Sequence, residues 1–200
     1  YEIPLRLVGS EMCIRDRLYR EVISVEKKHI LLAQAGDADA YATVFSVYEV
    51  ELYKLAYVQV GNHEDSLDLV QETAYRSFKY IRSLKQPEFF KTWLIRILLN
   101  ATNDLLKKRY TYEELDDQTT LEDTAVDTDV RVTLDAMMTY LTPQEKQVVY
   151  LKIYEDMTLQ QITELLDTKL GSTKTIYYRA LGKLKAVFRE EDTNEFKGGA

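Results

Sequence analysis

The sequence predicts an all-α protein made of two helical domains joined by an acidic, flexible linker. Three observations lead there. Seven Gly and three Pro in 200 residues are too few turn formers for a β protein and favour long uninterrupted helices. Apolar residues recur at helical spacing from about Lys27 to Arg109 and again from Leu141 onward, with a weakly periodic stretch between. Charge is also zoned. Between Lys79 and Arg109 stand eight Lys/Arg against Glu88 and Asp104; between Glu113 and Asp135 stand nine acids against Arg131 alone. Such an acidic, apolar-poor block reads as a solvated spacer.

The boundaries expected are 27–110 for the first domain, 111–135 for the linker and 136–189 for the second domain. Residues 190–200, EEDTNEFKGGA, read as a polar, disordered tail without a lipid or targeting signal. A hydrophobic fraction of 46% with 30% charged residues is that of a globular protein. No apolar run reaches the roughly 20 residues that span a bilayer, so no membrane insertion is expected. One Cys excludes an intramolecular disulfide framework, and two distant His offer no zinc set. The chain carries no Gly-rich phosphate loop, nucleophile elbow or paired-His helix. No catalytic residues, metal or cofactor are therefore expected, and the protein is not read as an enzyme.

The first residues, YEIPLRLVGSEMCIRDR, follow neither helical nor strand period. A weak signal peptide is one reading, but Arg6, Glu11, Arg15 and Asp16 interrupt any apolar core. Reverse translation of LVGSEMCIRDR allows a string resembling a transposase-type sequencing adapter, and YEI allows the flow-cell end of the same design. Tyr1 to about Arg17 is therefore expected to be a translated adapter, with Cys13 not native; the genomic locus would decide it.

In the first domain, Leu31, Leu32, Tyr41, Val44, Phe45, Tyr48, Leu52, Leu55 and Ala56 recur at helical spacing. GNHED (Gly61 to Asp65) breaks the pattern, and a second helix carries Leu67, Val70, Ala74, Phe78 and Ile81. Pro87 marks the next break. Phe90, Trp93, Leu94, Ile97, Leu98, Ala101 and Leu105 then form one stripe of a long helix. These lengths and short connections predict a three- or four-helix bundle.

The second domain announces its helix starts. In LTPQE, Thr142 is placed as N-cap, Pro143 at the first helical position and Glu145 as capping-box partner. TLQQ repeats the device with Thr158 and Gln161, and Leu170–Gly171 opens a third helix. On a wheel of that helix Ile176, Tyr177, Ala180, Leu181 and Leu184 share one side; Ser172, Lys174, Thr175, Tyr178 and Arg179 share the other. Hydrogen-bonding and cationic side chains near a helix start suit a helix–turn–helix that meets base edges, with Lys183, Lys185 and Arg189 suited to phosphates. A polar solvated face fits the same pattern. Lys169 stands where an N-cap residue is favoured, and a cation there opposes the helix dipole.

HEDSLDLVQETAYRSFKYIRSLKQPEFFKTWLIRILLNATNDLLKKR resembles the core of domain two of bacterial sigma-70-family factors. LTPQEKQVVYLKIYEDMTLQQITELLDTKLGSTKTIYYRALGKLK is similar to their domain four. With no domain three between them, the chain resembles the extracytoplasmic-function (ECF) group over about Lys27 to Arg189. The resemblance implies a promoter-specificity subunit that works in the cytoplasm with core RNA polymerase and promoter DNA, controlled by an anti-sigma factor. It assigns Asp65, Asp68, Leu69, Gln71 and Glu72 to docking on core polymerase, though a dipole-favoured acidic helix start reads the same way. It places the capture of an unstacked −10 base in Ser83 to Thr92, with Phe89 as stacking candidate and Lys85 and Lys91 for flanking phosphates; Phe90 and Trp93 fit the core as well as the pocket. It gives Asn100, Asn103, Asp104, Lys107, Lys108 and Arg109 to the −10 element, and Lys169, Ser172, Lys174, Thr175, Tyr178 and Arg179 to the −35 element.

The chain departs from the family pattern at Asp167, where Gly is common in the turn, and at Lys169, where Ser or Thr is usual. Thr173 replaces an apolar residue beneath the recognition helix, and Leu67 and Ala74 replace a common acid and aromatic. The competing reading is a helix–turn–helix regulator that acts without core polymerase; it leaves the acidic helix and the aromatic loop unexplained. The net charge of −7 is compatible with a sigma factor because core polymerase supplies most of the phosphate grip. Lys169→Ser should stabilise the protein by about 0.5–1 kcal/mol while weakening −35 binding by the holoenzyme. Urea unfolding and duplex binding measured on one preparation check the opposite signs.

Overall fold

The computed structural model describes residues 26–113 and 138–195, helical throughout apart from their connections. The expected adapter segment and nearly all of the expected linker lie outside the described residues. The chain divides into two compact units: residues up to Leu52 with Val70–Leu98, and Tyr53–Leu69 with Leu99 onward.

Helix α1 covers residues 26–35 and ends in a Schellman arrangement. Gly36, at φ 109°, donates its N–H to Ala33 O, and Asp37 donates to Leu32 O, which a left-handed C′ residue permits. Asp37 then starts helix α2 (Ala38–Val60), accepting the Ala40 N–H on Oδ1 at 3.0 Å. One Gly-Asp pair thus stops one helix and starts the next. The inward residues of α1 are Ile30 and Ala33, at 2% and 1% exposure, whereas Leu31 and Leu32 are 51% and 40% exposed. The apolar dipeptide therefore lies one position off the buried stripe.

Gly61 (φ 75°) closes α2, as the GNHED break predicts, donating to Tyr57 O. Asn62 caps helix α3 (His63–Tyr80), its Oδ1 accepting the Asp65 N–H at 2.8 Å. The inner face of α3 is largely hydroxylated: Ser66, Thr73 and Ser77 are each 0% exposed, beside buried Leu69 and Val70. Of the apolar residues on this helix, Leu67 and Phe78 are each 40% exposed. Ser66 Oγ donates to Asn62 O and Ser77 Oγ to Thr73 O. Back-bonding to the preceding turn satisfies each hydroxyl locally and lets a small residue enter a core. Tyr41 OH meets Ser77 Oγ at 2.5 Å and donates to Ala74 O at 2.9 Å. Burial pushes its phenol up to about 12, although the bond to Ser77 acts the other way.

Two single 3-10 turns, Ile81–Ser83 and Pro87–Phe89, lead into helix α4 (Phe90–Glu113). Gln34 clamps the first turn, its Nε2 reaching Ile81 O at 3.0 Å and Leu84 O at 2.7 Å. Phe90, Leu94, Leu98 and Ala101 are buried as the stripe predicts, and Ile95, Leu99 and Thr102 widen the arc.

The second domain begins with helix α5 (Pro143–Ile153), followed by α6 (Leu159–Leu165) and α7 (Leu170–Glu195). Both expected capping boxes are complete. Thr142 N–H donates to Glu145 Oε2 at 2.9 Å and Glu145 N–H to Thr142 Oγ1; Thr158 N–H donates to Gln161 Oε1 at 2.8 Å and Gln161 N–H to Thr158 Oγ1. Met138, Leu141, Val149, Ala180 and Leu184 form the apolar centre with Val187 packed against it. Helix α7 runs to Glu195, past the expected end at Arg189, because no Gly or Pro stands between Arg189 and Gly198 and propagation adds a bond per residue.

Asp167, at φ 51°, takes the left-handed turn position that the family gives to Gly, a geometry short polar side chains tolerate. Thr173 is 1% exposed, and its Oγ1 lies 3.0 Å from Thr163 Oγ1 and 2.9 Å from Thr168 Oγ1. Three hydroxyls therefore fasten α6 to the start of α7 where a family member would use apolar packing. Thr173→Val should destabilise the protein by about 1 kcal/mol; a urea midpoint at or above wild type would show the cluster contributes nothing.

Candidate nucleic-acid and polymerase interfaces

On α3 the acidic end is exposed at Asp68 and Gln71, while Glu72 is half-buried and bonded through Oε1 to Arg76 Nε at 2.6 Å. The i,i+4 spacing puts Asp68 and Glu72 on one face as expected, but Glu72 already spends part of its charge on the next turn. Leu69 is 5% exposed. Its side chain packs inward in the free chain. Asp65 accepts from Asn62 Nδ2 and pairs with Arg109 Nη2. Two residues assigned by resemblance to different surfaces, one for polymerase and one for promoter, are brought together.

A cavity of about 370 Å³ opens in the loop before α4, lined by Ser83, Lys85, Gln86, Phe89, Trp93 and Arg96 among others. The two 3-10 turns hold it, because Pro87 fixes the second turn and Gln34 anchors the first. Phe89 is 55% exposed and stands at this cavity, whereas Phe90 is 1% exposed and packs edge-on to Tyr48, 5.9 Å between centroids. Neighbouring aromatics thus separate into one surface ring and one core ring. Trp93, half-buried, touches both settings: it lines the cavity and lies 6.1 Å from the Phe90 ring. Gln86 occupies the cap position of its turn without capping it through its side chain, and the sequence reading did not single it out. Lys85 is exposed; Lys91 is paired with Glu51 at 2.7 Å.

Along α4, Asn100, Asp104, Lys107 and Lys108 are exposed on adjoining turns, a face of helical spacing. Asn103 is half-buried, its Oδ1 accepting from Gln147 Nε2 at 2.9 Å.

Along α7, Lys169, Ser172, Lys174, Thr175, Tyr178 and Arg179 are all exposed, so the wheel placed them correctly. Tyr178 stands out at 64% exposure. Lys169 has its carbonyl accepting the Thr173 N–H at 3.0 Å, the N-cap position expected. Arg179 differs from the rest: its Nε donates to Glu145 Oε1 at 2.7 Å, and Lys183 Nζ donates to Glu145 Oε2 at 2.7 Å. Glu145 is 0% exposed. Burial would raise its pKa, but Lys183, the Thr142 backbone N–H and hydroxyl, and Arg179 together outweigh it and hold the carboxyl at about 2. The capping box revealed why Glu145 is present; nothing in its sequence spacing reveals its two cations 34 and 38 residues on.

Among the described residues no helix is long and apolar enough to cross a membrane. Residues 44–112 match the family model for sigma-70 region 2, and residues 137–186 match that for sigma-70 region 4. The RNA polymerase sigma factor SigV of Bacillus subtilis (strain 168) is 30% identical over 156 residues, 75% of this chain and 92% of its own. The ECF RNA polymerase sigma factor SigW of the same strain is 28% identical over 181 residues, 82% of this chain and 97% of its own. A solved structure of the sigma factor RpoE from Bartonella quintana, in complex with the anti-sigma factor NepR, shares the fold at a TM-score of 0.66 and 18% identity, covering 74% of this chain and 96% of that one. A regulator acting without polymerase would leave the region 2 match without a purpose. Two matched regions in family order, on helices that present an acidic face, an aromatic cavity and a cationic recognition helix, establish that the chain belongs to the extracytoplasmic-function group of sigma-70-family RNA polymerase sigma factors, binding core polymerase and directing initiation at promoters.

Proposed function

We propose that this sigma factor opens its promoters by capturing one unstacked −10 base in the cavity before α4, while α7 holds the −35 element. The cavity carries the reading. Extruding a base costs a few kcal/mol, which a pocket and a stacking ring must offset. An exposed Phe89 beside a cavity large enough for a nucleobase supplies both, and Lys85 is placed for a flanking phosphate. Asn100 and Asn103 then face the −10 bases, and Lys107, Lys108 and Arg109 the backbone. In α7, Lys169, Ser172, Lys174, Thr175, Tyr178 and Arg179 meet the −35 element. The working modules are residues 27–110 and 136–189, separated by the acidic spacer 111–135.

Core polymerase docks on the α3 face carrying Asp68, Gln71 and Glu72, where carboxylates and an amide suit a basic partner helix. The protein acts in the cytoplasm, where core polymerase and promoters are, and contributes no chemistry of its own. An anti-sigma factor controls it by covering the same α3 face. That occupant must read the same acids, so Asp68→Lys should weaken both partners.

Phe89→Ala should leave core binding intact and reduce promoter opening about tenfold, the order expected for one lost stacking partner; permanganate reactivity of −10 thymines on a mapped promoter measures it. Unchanged reactivity would exclude Phe89 as the stacking ring. Asp68→Lys should weaken holoenzyme assembly about fivefold or more, read by titrating core polymerase with labelled protein. Normal assembly would move the docking face elsewhere.

A further inference from the structure

We infer that Glu145, which stands inside the second domain, is a positioning residue for −35 recognition: it fixes Arg179 and Lys183 in the arrangement that meets the promoter. This rests on the assignment of α7 to the −35 element and adds to it a residue from another helix. Glu145 is 0% exposed while its partners are 55% and 39% exposed at the side chain. One end of each cation is therefore held by a buried carboxylate and the rest stands in solvent. Arg179 commits only Nε to Glu145. A guanidinium has five N–H donors in a rigid fork, so four remain on the two Nη atoms, in a plane set by the buried bond. Lys183 Nζ likewise keeps two of its three donors beyond its bond to Oε2.

Long cationic side chains lose much rotamer freedom when they meet a ligand. Two that are already held lose less, and their charge is concentrated at one place on the helix. The carboxylate is itself immobile. Its Oε2 also accepts the Thr142 N–H, and its own N–H donates back to Thr142 Oγ1. The same residue that starts α5 thus aims two side chains of α7.

Simple electrostatics predicts the reverse outcome of substitution, which makes the inference testable. Glu145→Gln adds one positive unit near DNA and by counterion release alone would tighten binding. Positioning predicts weaker binding. The probe is a duplex spanning a promoter whose start is mapped by 5′-end sequencing of transcripts from the holoenzyme, with the −35 region either intact or replaced. On the intact duplex, holoenzyme with Glu145→Gln should bind about fivefold more weakly, and in an Arg179→Ala/Lys183→Ala background the same change should cost less than about twofold, as coupled groups require. Equal or tighter binding by a folded Glu145→Gln protein, or a loss that persists undiminished without the two cations, overturns the inference. Should Glu145→Gln be unfolded at the assay temperature, Glu145→Asp keeps the charge but withdraws it by one methylene. It should bind at least twofold more weakly through the same coupling, and binding equal to wild type overturns the inference. Failure of the underlying assignment looks different. Wild-type holoenzyme would then bind both duplexes alike, and Arg179→Ala would have no effect.

Discussion

The second domain is organised around a carboxylate shut off from the surface. A buried charge is tolerated only when it is paired and hydrogen-bonded, so once Glu145 is placed inside, the chain must deliver donors to it. Thr142 delivers its backbone N–H from the adjacent turn, and α7 delivers two cations from far along the sequence. This requirement fixes the rotation of α7 about its own axis. A recognition helix rotated by one residue would carry Arg179 and Lys183 away from Glu145 and turn Tyr178 and Lys174 off the exposed side. The apolar residues Ala180 and Leu184 enforce the same rotation from the other face. Packing and ion pairing agree on one orientation, which is how a short domain with a modest core presents a defined reading surface.

The first domain meets a related demand with different chemistry. Helix α3 buries Ser66, Thr73 and Ser77 at full depth. Hydroxyls bonded to their own helix behave as small residues and allow close approach. Tyr41 then reaches across to use the spare capacity of Ser77 and the Ala74 carbonyl. The exposed Leu67, Tyr75 and Phe78 stay on the side that a strictly apolar pattern would have buried.

These particulars explain what could be read in advance. Helix starts at Thr142 and Thr158, the break at Gly61, the turn at Asp167 and the exposed set on α7 follow from local chemistry, in which each signal lies within four residues of its effect. The fold class needed no more than that. What could not be read has physical reasons too. Helical spacing alone does not tell that Leu31, Leu32, Leu67 and Phe78 face out while Ala33 and back-bonded Ser residues enter the tight interface. Family likeness carries positions and not burial, so it does not tell that Leu69 lies inside. The pairs Arg109–Asp65, Lys91–Glu51 and Arg179–Glu145 join residues between 34 and 44 apart in sequence, and no local signal announces such a pair.

Those same three pairs bear on how a chain of net charge −7 handles DNA. Arg109, Lys91 and Arg179 are cations that the family likeness points at promoter phosphates or bases, and each has a carboxylate of this chain beside it. The arrangement lowers the field each would project toward a distant polyanion, since a paired charge acts as a dipole that fades faster than a lone one. Non-specific DNA affinity depends on lone cations, each releasing a counterion, so pairing works against it. On the proposed −35 contact the balance would change, because the donors Arg179 keeps act at hydrogen-bond range from a guanidinium that the buried acid holds by Nε. Internal pairing therefore trades long-range attraction for short-range geometry. That exchange suits a subunit whose partner enzyme supplies the grip on the duplex and whose own task is to discriminate where that grip settles.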